Sequence, residues 1–239
     1  MTSNDIRLVL NPGVELERTN TPGVARAVIV DATRTAELTW DRFARLSRTA
    51  EAIKQRIPKG LRILDIGGFD GALALFLPNH QVDVIDPITT GGTGLELKSI
   101  DSYPVIVSID ALEHIEPERR ELFLDGTMKL SEQHYFINFP ARRSTPAQRL
   151  VYELTDNPLV REHVMWLLPC SDEIVSYMET RGFTADVIEH TSTAQWVSQY
   201  MLQSVAQEIA SATNSYLWQQ HKDDPAGVPL YDLLIGERL

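Results

Sequence analysis

An acidic residue followed by closely spaced glycines is the sequence feature with the clearest chemical meaning. The segment Ile63–Gly71 reads Ile-Leu-Asp-Ile-Gly-Gly-Phe-Asp-Gly and continues an apolar run typical of a strand buried in a parallel sheet. Ligands of open α/β sheets bind beyond the carboxyl ends of such strands, where glycines let them approach the backbone. The spacing fits neither the dinucleotide fingerprint G-x-G-x-x-G nor the phosphate loop G-x-x-x-x-G-K-S/T. We therefore expect a ligand without a pyrophosphate.

Two carboxylates beside this turn define the ligand further. Asp65 lies two residues before the first glycine, where it repels a phosphate and attracts an ammonium or sulfonium group. Asp86 ends the next predicted strand, where an acid typically accepts both hydroxyls of a ribose. Together the two acids predict a nucleoside with a cationic tail, a description that S-adenosylmethionine meets.

A third segment, Val105–Ile115, is a predicted buried strand that runs into Asp-Ala-Leu-Glu-His-Ile. With Leu64–Gly71 and Asp86, it makes the region from Leu61 to Phe139 resemble the class I S-adenosylmethionine-dependent methyltransferases. The resemblance implies a Rossmann-like α/β fold with a seven-stranded, mostly parallel sheet whose last strand is antiparallel. It also implies S-adenosylmethionine as the cofactor. Seven residues would contact this cofactor: Asp65, Gly67, Gly68, Gly71, Asp86, Asp110 and Ala111.

The resemblance also implies a role for each group of these residues. The three glycines would shape the turn around the methionine part, Asp65 would interact with its amino group directly or through water, and Asp86 would hold the ribose. Two features depart from the family pattern. Phe69 stands where many members have glycine. The stretch after Asp86 leaves little room for the usual second helix, so Glu96 and Asp101 are only guesses for an adenine contact.

Two histidines are candidates for a general base. His163 is the preferred one, because it ends the segment Asp156–His163 after the predicted fifth strand, where loops on a rigid scaffold contact substrates. His114 is the second, although a structural hydrogen bond is the more common role at its position. Asp110 with Asn138 suggests a metal-assisted reaction, but the oxygen ligand set is too small, so we expect no catalytic metal.

The elements that must position these residues alternate between strands and helices, which predicts one layered α/β domain. Apolar runs predict strands at Leu61–Ile66, Gln81–Asp86, Leu95–Leu97, Val105–Ile109, Tyr135–Phe139, Phe183–Glu189 and Pro229–Ile235. Apolar stripes, with Thr39 and Ser171 as caps, predict helices at Thr39–Arg56, Ala72–Leu77, Pro117–Leu130, Ser171–Arg181 and Ala194–Gln220.

The domain boundary is placed before the first of these helices. Residues 1–38 are assigned to an N-terminal arm with extended pieces at Arg7–Leu10 and Ala25–Val30. Residues 39–239 form the methyltransferase domain, with a helical insertion near 194–220. This insertion covers the active site, packs on the sheet or forms the face of a homodimer.

Composition limits the partners. The 239-residue chain has 33 acidic and 22 basic side chains and a net charge of −11, which disfavours nucleic acid and anionic membrane surfaces as partners. Its single cysteine excludes an intramolecular disulfide framework and a zinc site built from a cysteine cluster. Neither a signal peptide nor a membrane-spanning apolar run is visible, which predicts a cytoplasmic protein.

These observations predict methyl transfer to a small-molecule acceptor, with oxygen on a sugar or secondary metabolite as the leading choice. Nitrogen is less favoured, because an Asn/Asp-Pro-Pro-aromatic segment is missing after the strand that ends at Ile109. The alternative is a catalytically silent binding or scaffold subunit of the same fold, which fits Phe69 and the shortened stretch after Asp86. An oxidoreductase with a nucleotide cofactor would need the pyrophosphate turn that the sequence lacks.

Overall fold

The computed structural model describes residues 10–222 and 227–239. Within them, a single eight-stranded sheet forms the centre of the molecule. Its strands, numbered in chain order, are β1 Val14–Arg18, β2 Ala25–Ile29, β3 Arg62–Ile66, β4 Gln81–Ile85, β5 Tyr103–Ile109, β6 Ser131–Pro140, β7 Phe183–Ser192 and β8 Pro229–Arg238. Their order in space is β1-β2-β4-β3-β5-β6-β8-β7.

The centre of the sheet is parallel and its ends are antiparallel. Strands β4, β3, β5 and β6 pair in parallel. Strand β8 is antiparallel to both β6 and β7, as the resemblance implies for the last strand. The predicted Rossmann-like α/β fold is thus confirmed, although the sheet has eight strands rather than seven.

The difference in strand number arises at the β4 side of the sheet. Strands β1 and β2 form a hairpin, called here the N-terminal hairpin, which pairs antiparallel with β4. Ala25–Val30 was expected to be extended and contains β2, whereas Arg7–Leu10 falls almost entirely outside the described residues. The stretch between β4 and β5 forms turns, so the strand predicted at Leu95–Leu97 is wrong. The boundary at residue 38 stays a prediction.

Helices cover both faces of the sheet. Their bounds are α1 Trp40–Arg56, α2 Leu73–Phe76, α3 Arg120–Leu130, α4 Thr145–Thr155, α5 Pro158–Met165, α6 Ser171–Thr180, α7 Thr193–Ala212 and α8 Asn214–His221. On one face, α1, α2 and α8 bury Phe43, Leu73 and Trp218 against the strands. On the other, α3 and α6 bury Phe123 and Met178. None of the helices in the described ranges is long and apolar enough to cross a bilayer.

Three helix predictions need correction in detail. The single helix predicted over Ala194–Gln220 is α7 followed by α8, with non-helical backbone at Ala206 inside α7. Ser171 is the first residue of α6 rather than its cap, and its hydroxyl donates to Asp232. Thr39 does hold the N-cap position of α1, but its side chain makes no capping hydrogen bond.

Helices α4 and α5 pack with α7 at the edge of the sheet where the parallel strands end. A small apolar cluster joins these helices to the start of β8: Val151, Val160, Trp196, Leu230 and Tyr231. Because β8 is antiparallel, its start lies at the edge where β6 ends, and Pro140 pairs there with Tyr231. Helix α5 therefore carries His163 to the edge where the predicted cofactor residues lie.

Candidate active site

A cavity of about 640 Å³, called here the central cavity, lies at the carboxyl ends of β3, β4 and β5. Its walls come from the glycine turn, the loop after β4, the turn after β5 and the polar face of α1. Six of the seven predicted cofactor residues line it: Asp65, Gly67, Gly68, Asp86, Asp110 and Ala111. A larger groove of about 910 Å³, between Asn11 and α7, contains none of the predicted site residues.

Close packing of the backbone explains the first two glycines of the turn. Gly67 has φ +82°, and a Cβ atom at this position would lie 2.6 Å from Cβ of Ala111. A Cβ atom at Gly68 would lie 2.6 Å from Oδ2 of Asp65. A side chain at either position would therefore displace the end of β5 or the acid itself.

The third glycine of the turn has a different role. Gly71 does not line the central cavity. A Cβ atom there would lie 2.8 Å from Cβ of Ala27 and 3.1 Å from Cδ2 of Leu16. Both neighbours belong to the N-terminal hairpin, so the missing side chain at Gly71 makes room for that hairpin. A contact of Gly71 with the cofactor stays a prediction.

Phe69 takes the backbone conformation for which glycine is best suited. Its φ of +49° lies in the left-handed region, which is costly for a residue with a side chain. Its side chain lines the cavity, and the guanidinium of Arg42 lies 5.6 Å from the ring centroid. Arg42 also binds the carboxylate of Asp70 through two hydrogen bonds of 2.7 and 3.1 Å. This ion pair fixes the turn that holds the phenyl ring.

Asp65 is a buried acid without a full set of partners. It is only 2% exposed, and its Oδ1 has no hydrogen-bond partner among the described residues. Burial, with smaller contributions from Asp86 and Asp70, raises the pKa of Asp65 to about 7. Such a carboxyl group gains a favourable interaction when a cation arrives. This wall of the cavity is therefore suited to an ammonium or sulfonium group and unsuited to a phosphate.

Asp86 is tied to the loop that follows it. Its Oδ1 accepts hydrogen bonds from the backbone N–H groups of Ile88 at 2.9 Å and Thr89 at 3.1 Å. These bonds fix the acid at the cavity wall. No hydrogen bond among the described residues uses Oδ2, so this oxygen can accept from a ligand.

The polar face of α1 contributes an ion pair that the sequence analysis missed. Arg45 lies 2.8 Å from Oδ2 of Asp110 and 2.9 Å from Asp41. Burial raises the pKa of Asp110, but the charge of Arg45, a hydrogen bond with Glu113 and the nearby His163 and His114 together outweigh burial and lower this pKa to about 2. The signal was present in the sequence, because Arg42 and Arg45 are spaced by one helical turn. The sequence interpretation of α1 was based on its apolar stripe and did not include these two arginines.

The two candidate bases meet although 49 positions separate them in the chain. Nε2 of His114 lies 3.4 Å from Nε2 of His163. His114 lines the cavity, whereas His163 is 8% exposed and does not line it. Burial, and next the neighbouring His114, lowers the pKa of His163 to about 4, so this imidazole is neutral near pH 7. His114 is thus the histidine of the pair that can reach a molecule in the cavity.

The remaining sequence candidates lie away from the cavity lining. Neither Glu96 nor Asp101 lines it. The loop after β4 contributes mostly apolar or small residues to the wall: Pro87, Ile88, Thr93, Gly94 and Leu95. The amide nitrogen of Asn138 lies 2.7 Å from Nε2 of His190. Asn138 itself does not line the cavity.

No family profile matches the chain, and no curated protein matches it. The plantazolicin methyltransferase BpumL in complex with SAH is similar in structure, with TM-score 0.53 and 12% identity over 84% of this chain and 85% of that chain. A SAM dependent methyltransferase from Archaeoglobus fulgidus is also similar, with TM-score 0.50 and 15% identity over 81% and 94%.

At these identities the likeness concerns the fold alone. The cavity described above opens at the carboxyl edge of the parallel strands, which is where α/β folds bind their ligands. The chain has the Rossmann-like fold of the class I S-adenosylmethionine-dependent methyltransferases, as the resemblance in its sequence predicted.

Proposed function

We propose that this protein is an enzyme that transfers a methyl group from S-adenosylmethionine to a small-molecule acceptor. One observation carries the proposal. The central cavity brings Asp65, a buried acid with an oxygen lacking a partner, to the same wall as the glycine turn and Asp86. A cation-binding acid, an approachable backbone and a ribose-binding acid are what a sulfonium nucleoside requires.

The cofactor is proposed to lie across the carboxyl ends of the three strands. Asp65 faces its ammonium group, directly or through water, and Gly67 and Gly68 let its methionine part approach the backbone. Oδ2 of Asp86 accepts from the ribose hydroxyls. The apolar atoms of Ile88 and Leu95 then provide the surface on which the adenine packs.

The methyl transfer itself is an in-line displacement. A lone pair of the acceptor attacks the methyl carbon, the carbon–sulfur bond breaks, and its electrons return to sulfur. The contribution of the protein is mainly alignment of acceptor, methyl group and sulfur, which lowers the barrier substantially. His114 lines the cavity with Leu159 and Glu162, so this side of the cavity is the proposed place of the acceptor.

Oxygen on a sugar or a secondary metabolite is the proposed acceptor. The cavity volume of about 640 Å³ lies in the range of sites for single small ligands, so the cofactor leaves room only for a small acceptor. The net charge of −11 argues against a polyanionic acceptor. An alcohol must lose its proton during the reaction, and His114 is placed to accept it.

Titration calorimetry with S-adenosylmethionine and S-adenosylhomocysteine tests the proposal. We expect both to bind in a one-to-one ratio, because they share the nucleoside and the amino acid part. If the folded protein binds neither compound, the proposal that it is a methyltransferase is refuted. Binding of both with no methylated product from a panel of hydroxylated small molecules would instead favour the catalytically silent subunit.

A further inference from the structure

The two imidazoles beside the central cavity are oriented by oxygen acceptors. Nδ1 of His114 lies 2.6 Å from Oε2 of Glu162, and Nδ1 of His163 lies 3.1 Å from Oε1 of Gln148. A carboxylate and an amide oxygen can only accept, so each Nδ1 donates its proton outward. In each neutral ring, Nε2 then carries a lone pair, and the two Nε2 atoms lie 3.4 Å apart.

This separation matches a shared metal ion. Two lone pairs repel each other at such a distance unless a proton or a metal ion lies between them. Zinc–nitrogen bonds of about 2.0–2.1 Å at a tetrahedral angle place two nitrogens about 3.3–3.4 Å apart. An acceptor on the outer nitrogen of each ligating histidine is also the usual arrangement in metal sites, because it fixes the tautomer and the ring orientation.

A buried acid completes the cluster. Glu113 immediately precedes His114 and is fully buried. Its carboxyl group shares a hydrogen bond with the carboxyl group of Asp110, and no N–H or hydroxyl group in the described part of the chain donates to its oxygens. One of these oxygens and one nitrogen of each histidine lie within 4.8 Å of one another. A buried acid that no N–H or hydroxyl group supports is costly to ionise, and a metal ion removes that cost.

We propose that Glu113, His114 and His163 bind a divalent transition-metal ion beside the central cavity. Two imidazoles with carboxylate oxygens favour ions such as Zn²⁺, Co²⁺, Fe²⁺ or Mn²⁺, whereas Ca²⁺ and Mg²⁺ prefer an all-oxygen shell. A set of two histidines and one carboxylate leaves a coordination position open, as in catalytic metal sites.

This site deepens the proposed function and rests on it for its role in catalysis. His114 lines the central cavity, so an ion bound to this residue would be within reach of an acceptor hydroxyl in the cavity. A bound divalent ion lowers the pKa of a coordinated hydroxyl. With the ion bound, both nitrogens of His114 are occupied, so the hydroxyl proton leaves to water instead of to His114. The oxygen then attacks the methyl carbon as the carbon–sulfur bond breaks. The metal would thereby select hydroxyl acceptors and reverse the sequence-based expectation of no catalytic metal.

Metal binding is tested on the full chain after treatment with a chelator and dialysis. Titration calorimetry with Zn²⁺, Co²⁺, Mn²⁺ and Mg²⁺ separately should give one high-affinity ion per chain for the transition metals and at least about 100-fold weaker binding of Mg²⁺. The Co²⁺ form should show the intense visible absorption of a site with fewer than six ligands. Absence of stoichiometric binding, or equal affinity for Mg²⁺, would overturn the proposal.

Two variants locate the ion. Glu113→Gln keeps the shape of the side chain and His163→Gln removes one imidazole, and each should weaken Zn²⁺ binding by at least about tenfold. The matched control is His80→Gln, because His80 precedes β4 at the opposite edge of the sheet. Unchanged affinity in a folded Glu113→Gln variant, or an equal loss in the His80→Gln control, would contradict the assignment.

Cofactor titration separates this proposal from the proposed function. S-adenosylhomocysteine should bind the metal-free protein, because none of Asp65, Asp86 and the glycine turn belongs to the metal site. Zinc should likewise bind without the cofactor. Loss of either binding with retention of the other refutes only the corresponding proposal.

Discussion

Asp65 and Asp86 follow neighbouring strands and line the same cavity, but their surroundings differ. Asp86 is held by two backbone N–H groups, and these keep one of its oxygens in place. Asp65 lacks such support at Oδ1 and lies near two other carboxylates. The first arrangement suits a neutral hydroxyl donor, and the second suits a cation.

Replacing Asp86 by alanine should weaken binding of S-adenosylmethionine by at least about tenfold, because a carboxylate hydrogen bond to the ribose contributes about 1.5–3 kcal/mol. Titration calorimetry measures the effect. The exposed acid Asp101, also an early candidate, provides the control, and Asp101→Ala should leave the affinity unchanged. Equal affinities for the two variants would show that the ribose lies elsewhere.

The raised pKa of Asp65 predicts a specific dependence of stability on pH. The unfolded chain loses this proton near pH 4, whereas the folded chain retains it up to about pH 7. The free energy of unfolding therefore has its full contribution from protonated Asp65 below pH 4. This contribution decreases as pH rises from about 4 to 7 and is constant above that. Binding of a cationic cofactor should, by the same linkage, strengthen as pH rises through 7.

Chemical unfolding of Asp65→Asn tests this at pH 5 and pH 8. The free energy of unfolding of the variant relative to the parent protein should increase with pH, by up to about 4 kcal/mol over the whole range. The control is Asp186→Asn, because Asp186 on β7 is 73% exposed. Parallel pH curves for Asp65→Asn and the parent would contradict the raised pKa.

At the scale of elements, helix α1 performs two tasks with its two faces. Its apolar face packs Trp40 and Phe43 into the core beside α8. Its polar face carries Arg42 to the glycine turn and Arg45 to the end of β5. The helix thus links the core to the two turns that form the cavity.

Replacing Arg45 by methionine should lower the free energy of unfolding by about 3–5 kcal/mol at neutral pH, because it leaves the largely buried carboxylate of Asp110 without its guanidinium partner. Urea unfolding measures this effect. Arg56→Met on the same helix is the control, since Arg56 pairs at 3.4 Å with the exposed Asp186 and should contribute less than about 1 kcal/mol. Similar losses of unfolding free energy in both variants would show that the Arg45–Asp110 pair contributes no more to stability than the exposed pair.

At the scale of the molecule, the N-terminal hairpin extends the sheet and fixes its width. It pairs with β4 and packs over Gly71, so the first described residues form part of the fold. Nearer the C-terminus of the sequence, helix α7 leaves Val205 and Ile209 exposed. The homodimer expected at this helical insertion stays a prediction, as does the cytoplasmic location.

Gly71→Ala should destabilise the protein without weakening cofactor binding. The new methyl group meets the hairpin at 2.8 Å and should cost about 1–3 kcal/mol more than Gly182→Ala. Gly182 is a matched control, because its φ of +79° is similar to the +76° of Gly71 and no atom lies within 4 Å of its added Cβ. Thermal unfolding and calorimetry together measure both effects. Unchanged thermal stability of Gly71→Ala together with weaker cofactor binding would show that Gly71 contacts the cofactor.

Much of the fold could be predicted because its signals are local. Strands β3 to β6 were visible as apolar runs, and the glycine turn was visible as a spacing of small residues next to an acid. The N-terminal hairpin was harder, because its pairing with β4 joins Ala25 to Val84 and depends on which sheet edge is free.

The sequence by itself determined the Rossmann-like fold, the place of the glycine turn and the acids that line the cavity. These follow from side-chain periodicity and turn conformation, which neighbouring residues control. Only the tertiary structure decided that Arg45 neutralises Asp110 and that His163 faces His114. It also showed that a side chain at Gly71 would meet the N-terminal hairpin. Such contacts join residues far apart in the chain, and they exist only because the packing of whole helices and strands sets the distances between side chains.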